Sequence, residues 1–109
     1  MSAKGTIKGS GKNFAGRFTP KEYSVHLYGT LDPPLPPFSV SEAILQYNDL
    51  AHLGETYTIA ITAPSFVGEA LLNLKLVNAG GAELTITGVL DNPLTEKIPV
   101  SGTARWFWA

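Results

Sequence analysis

His26 and His52 are the only histidines, the side chains whose ordinary pKa lies closest to neutrality. On an alternating segment His26 shares a face with Ser24 and Tyr28, so a hydroxyl, an imidazole and a phenol stand in line. General-base chemistry needs more than this: a proton donor within reach and a third group that orients the imidazole. A solvent-facing histidine on a half-exposed strand accounts for the same residues. Two distant histidines without a repeated ligand spacing do not make a metal site, and the chain has no cysteine. No metal and no cofactor are expected. Asp49 and Glu55 flank the Leu53-Gly54 corner, and Glu69 and Glu83 sit near strand ends. A catalytic carboxylate pair is defined by its separation in space, which this spacing does not fix.

Gly9-Ser10-Gly11-Lys12 has the residue types of a phosphate-binding loop. A Walker loop places a glycine five positions before the Gly-Lys pair and a serine or threonine after it. Those positions are Thr6 and Asn13, and Phe14 stands where a dinucleotide-binding turn has its third glycine. The segment reads instead as a flexible, basic strand edge or bulge. Pro33 to Pro37 contains overlapping Pro-x-x-Pro spacings but is flanked by Asp32 and Phe38 rather than by a base. It reads as a stiff extended connection, outside regular structure. The aromatic run Arg105-Trp106-Phe107-Trp108 is the most informative of these features. Two tryptophans at i and i+2 fall on one strand face, where each ring buries on the order of 200 Å². Gly29, Gly88 and Gly102 are in line with apolar faces, and a large ring over a neighbouring glycine fills such a gap. The same rings suit the wall of a ligand cavity. Tyr57, Trp106 and Trp108 are therefore the candidate ligand-binding residues. Trp106 is expected to be largely buried and Trp108 at least partly so.

The elements that position these residues are mostly strands. Thr56–Ala63 alternates Tyr57, Ile59 and Ile61 against threonines and alanine, the pattern of a half-buried strand. Residues 69–77 and 83–90 alternate likewise around Asn78-Ala79-Gly80-Gly81-Ala82, which predicts an antiparallel hairpin. Asp91-Asn92-Pro93 is a turn, and 97–108 a strand whose Pro99 belongs at its start or on an edge. Glu22–Thr30 is a strand, and the Gly-rich Thr6–Phe18 is one bent strand or two short ones. Ser39 and Glu42 have capping-box spacing, and Val40, Ala43, Ile44, Tyr47, Leu50 and Ala51 recur at helical spacing. The pattern predicts a short helix near residues 40–53; the alternative is a strand leading to an Asn48-Asp49 turn. The fold class expected is mainly β, an antiparallel β-sandwich or small β-barrel with that one short helix.

A chain of 109 residues, 44% apolar and 16% charged, suits one domain with its own core. The polar start lacks the apolar run of a signal peptide, no stretch approaches the ~20 residues of a membrane-spanning helix, and the absence of cysteine leans toward a reducing compartment. A cytoplasmic location is expected, with no membrane partner. Residues 1–21 carry five basic side chains and no acid, whereas residues 22–109 carry three bases against nine acids. Lysines that keep a Gly-rich edge from pairing with other chains explain the basic arm. No aromatic platform accompanies the arm in sequence, so nucleic acid is not an expected partner. Three functional classes follow. The first is a non-catalytic binding or assembly module for a small molecule, a carbohydrate or a protein. The second is a small-barrel enzyme acting on an apolar or cyclic molecule, with Tyr57, His26 or an acid as its acid–base group. The third is a structural subunit of a homo-oligomer.

Overall fold

The computed structural model describes residues 2–49, 51, 53–59 and 65–108. They form eight strands: β1 (Ser2–Phe18), β2 (Val25–Gln46), β3 (Thr56–Ile59), β4 (Phe66–Gly68), β5 (Leu71–Val77), β6 (Glu83–Val89), β7 (Lys97–Pro99) and β8 (Ser101–Trp108). Five of them close a ring. The first half of β2 pairs with β8, β8 with β3, β3 with β5, β5 with β6, and β6 with the last residues of β2, all antiparallel. The fold is a small β-barrel. β1 runs along β2 outside this ring, and β4 joins β5 to the short β7.

Closure rests on β2 serving twice. Residues Val25–Asp32 face β8, whereas Ile44–Gln46 face β6. The β1–β2 ribbon therefore folds back on itself, and the Thr19 N–H donates to the Lys4 carbonyl at 3.1 Å, joining the two ends of β1. The two strands follow tracks of different length. From Phe18↔Val25 to Ser2↔Gln46 the pairing spans 17 residues of β1 and 22 of β2. The excess enters at three register shifts, each of which puts extra residues into β2. Such bulges bend a strand and increase its twist. Gly11 lies between two of the shifts with φ +63°, a conformation that glycine adopts without a Cβ clash.

Two expectations for this segment are corrected. Residues Val40–Gln46 belong to β2, and no α-helix occurs among the described residues; Leu50 and His52 lie outside them. The register passes from Ile7↔Val40 to Gly5↔Ala43, so one extra residue is inserted around Ser41-Glu42. The buried positions then run Val40, Ala43, Leu45, Tyr47. One step of three inside a period of two imitates helical spacing. The proline segment likewise lies within β2 rather than in an irregular connection. Pro33, Pro34, Pro36 and Pro37 are exposed and fall in the register gaps, where a missing N–H breaks no ladder bond, while Leu35 and Phe38 point inward.

The rest follows the alternation. The 71–77/83–89 hairpin forms, with Leu72, Leu74 and Leu76 buried against Leu84 and Ile86. β3 covers Thr56–Ile59 of the expected Thr56–Ala63 strand, whose remainder lies outside the described residues. The expected strand 97–108 is divided at Val100, whose N–H turns to the Ser65 carbonyl at 3.0 Å. Trp106 is 3% exposed, with its ring 5.8 Å from that of Phe18, and Trp108 is 46% exposed at the barrel end, edge-on to Tyr23. The rings over Gly29 and Gly88 are not the tryptophans: Phe14 covers Gly29 and Val40 covers Gly88, while Gly102 packs on the Thr30 carbonyl. Removing the Trp106 ring from this core should cost about 3–5 kcal/mol, a large part of the ~5–15 kcal/mol typical of a domain. Denaturant melts of Trp106→Ala should show a strongly lowered midpoint, and Trp108→Ala a much smaller change.

Candidate functional site

A concavity forms where the β1–β2 ribbon folds back. Two cross-strand pairs stand on either side of Gly11: Gly9 opposite Phe38, and Phe14 opposite Gly29. In each pair the ring lies over the backbone of its glycine partner, in space that a Cβ would occupy. Both rings are nearly buried. Together with Tyr28 and Pro37 they line a cleft of about 680 Å³. Its polar lining comes from Ser10, Asn13, Ser39 and Asn92, and Lys8 is the one residue charged at neutral pH among the described residues that line it.

A carboxylate fixes one wall. Between Pro33 and Ala43 β2 has β1 on one edge and, among the described residues, no strand on the other. Asp91 fills that gap. Its N–H donates to the Ser39 carbonyl at 2.9 Å, its Oδ1 accepts the Ser41 N–H at 3.1 Å, and its Oδ2 accepts the hydroxyls of Ser39 and Ser41 at 2.9 and 2.8 Å. These bonds hold its carboxyl below the ordinary carboxylate pKa, chiefly through the Ser41 and Ser39 hydroxyls. Ser39 and Asn92, the residue after Asp91, both line the cleft.

The residues singled out in sequence lie elsewhere. Tyr57 and Trp106 both point into the barrel from adjacent strands: Tyr57 is opposite Ala104, and the Trp106 N–H donates to the Glu55 carbonyl at 3.3 Å. Trp108 is at the barrel end, its indole against Gly54. None of the three lines the cleft. The buried Trp106 Nε1 has no hydrogen-bond partner among the described residues. The Tyr57 hydroxyl donates to Glu55 Oε2 at 3.5 Å, and Asn78 Nδ2 donates to the same oxygen at 2.7 Å. Burial, followed by the nearby Glu55 charge, pushes the Tyr57 phenol up to about 12. It therefore stays protonated at neutral pH, a hydrogen-bond donor rather than a base. His26 is on the outer surface, stacked on Tyr28 with centroids 6.3 Å apart, and His52 lies outside the described residues. No group of three or more metal-ligating side chains occurs among the described residues.

No protein-family model and no curated protein sequence matches this chain. No helix among the described residues is long and apolar enough to cross a membrane. In sequence the cleft residues belong to separate features: Gly9, Ser10 and Phe14 to the glycine-rich loop, Tyr28 to the His26 row, Gly29 to a core gap, Pro37 and Phe38 to the proline segment, Ser39 to a capping-box spacing and Asn92 to a turn. The register shifts that pair Phe14 and Phe38 with glycines leave no mark in sequence spacing, so nothing local connects these features.

Two titrations test the polar clusters. Asp91 binds its proton less readily in the folded state, so its contribution is present above the ordinary carboxylate pKa near 4 and is lost as pH falls through the lower folded value. Asp91→Asn should flatten the acid side of a stability-versus-pH curve. Tyr57 binds its proton more tightly when folded, so its contribution is complete below pH 10 and is lost as pH rises through about 12. Alkaline melts should lose stability across that window, and Tyr57→Phe should remove this loss.

Proposed function

We propose that the chain is a non-catalytic binding module that holds a small, flat, largely apolar molecule in the cleft of the folded ribbon. The observation that carries this reading is the meeting of Phe14, Tyr28 and Phe38 around about 680 Å³. That volume falls within the ~300–1,000 Å³ common for ligand sites, which are lined by rings with a few polar groups that fix orientation. Lys8, Asn13, Ser39 and Asn92 are such groups. Acid–base catalysis needs a paired donor and acceptor near the reacting atoms. The cleft offers one ammonium group and neutral amides and hydroxyls, which supports binding over turnover. A chain without cysteine suits a reducing compartment, in keeping with a cytoplasmic binding protein.

Amide NMR shifts on titration with 2-naphthoate, indole and decanoate test the reading. Changes should cluster at Lys8, Asn13, Tyr28, Ser39 and Asn92 for at least one probe. Ala15→Trp, which places an indole in the cleft, should abolish them while the thermal midpoint holds. Shifts confined to other faces, or none with any probe, would sink the assignment.

A further inference from the structure

A second surface, on the outside of the barrel, combines two properties that the sequence keeps apart. Strand pairing sets outward residues of β1, β2 and β8 in rows. One row is Arg17, His26, Phe107, and the next is Ala15, Tyr28, Arg105. The row beyond, through Thr30 and Thr103, is uncharged and tied by a 3.0 Å bond between the two hydroxyls. None of these rows contains a carboxylate; along the chain the nearest are the exposed Glu22, before β2, and Asp32, opposite Ser101.

The rings are accessible and in contact with one another. Tyr28 is 51% and Phe107 44% exposed, with centroids 5.8 Å apart and planes at 63°. His26 lies parallel to Tyr28, and the Arg105 guanidinium is 5.3 Å from the Phe107 centroid. Arg17 Nε donates to Ser24 Oγ at 3.3 Å, which directs its guanidinium along this face. The bond from Thr19 N–H to the Lys4 carbonyl brings the exposed Lys4 beside Arg17, with Gly5 against the Arg17 carbonyl.

We propose that this face binds single-stranded nucleic acid, with bases stacking on Tyr28 and Phe107 and phosphates meeting Arg17 and Arg105. Rings alone would suit a neutral sugar, and cations alone any polyanion. Their alternation in rows without carboxylates fits a polyanion that carries planar rings. Single strands offer unstacked bases to aromatic side chains, whereas a duplex keeps its bases inside. A guanidinium group meets phosphate with a fixed fork of donors. The expectation from sequence, that nucleic acid is no partner, rested on the basic arm lacking a stacking platform. The register supplies one from β2 and β8. Tyr28 and Ala15 also line the cleft, whereas Arg17, Arg105 and Phe107 do not, so the two sites share a border and substitutions at these three residues test the face apart from the cleft.

Fluorescence anisotropy with labelled oligothymidylate and oligouridylate of roughly 15 nucleotides tests it, against an abasic strand of equal length and a polyglutamate of equal charge. Binding should be at least ~10-fold tighter to the base-bearing strands than to either control, since stacking contributes about 1–3 kcal/mol per base. Phe107→Ala should weaken binding by about 5-fold or more at an unchanged thermal midpoint, and Phe107→Trp should restore it. Arg17→Gln combined with Arg105→Gln should reduce the slope of log affinity against log salt by about 1.4, at ~0.7 per lost phosphate contact. Equal affinity for the abasic strand or polyglutamate would overturn the proposal, as would no binding at about 50 mM salt, or an unchanged salt slope in the double variant.

Discussion

The structure depends on one constraint: a two-stranded ribbon must fold back far enough for β2 to meet β8 with one half and β6 with the other. A regular ribbon twists but does not fold over. Bending it needs extra residues on one track and backbone that can pass close beneath side chains. The three register shifts, the φ +63° at Gly11 and the rings lying over Gly9 and Gly29 meet those needs. Were either glycine a larger residue, its Cβ would occupy the position of a phenyl ring. Ring and glycine together make a contact that holds only at one curvature.

The bend also creates the concavity. A ribbon that folds over leaves a hollow on its inner side, and the residues that permit the fold line it. Asp91 closes the neighbouring gap, where β2 has no second strand to bond with among the described residues. A carboxylate accepts from one backbone N–H and two hydroxyls there, standing in for a strand's carbonyls. Four exposed prolines occupy the same stretch and expose no N–H for a foreign strand to bond. Part of the bend, one wall of the site and protection of the edge thus meet between Pro33 and Ala43 of β2.

The legible parts of the sequence are those where period two is unbroken. The Leu72–Leu76 and Leu84–Ile86 alternation specifies the hairpin, and small residues before Trp106 specify its inward direction. Legibility fails at bulges. One residue inserted near Ser41-Glu42 converts strand spacing into apparent helical spacing, and the larger insertion between Thr30 and Leu35 hides a strand behind prolines. The cleft and the outer aromatic face are both products of register, so neither Phe14 over Gly29 nor Tyr28 beside Arg105 has a local signature. Tyr57, Trp106 and Trp108 were conspicuous because they are large. In the structure Tyr57 and Trp106 fill the barrel interior, and Trp108 caps its end.

The order in which these contacts can form bears on how the chain reaches its fold. β1 and β2 are neighbours in sequence and can pair early, but the free edge of β2 from Val25 to Asp32 meets its partner only in Trp108 to Ser101, at the far end of the chain. Loop closure over such a distance is entropically costly, and pairings of this kind make folding slow. Until β8 arrives, an unpaired strand edge and an unfilled interior are open to other molecules. On a ribosome, which emits the chain from its N-terminus, that interval lasts until the Trp106 segment has emerged.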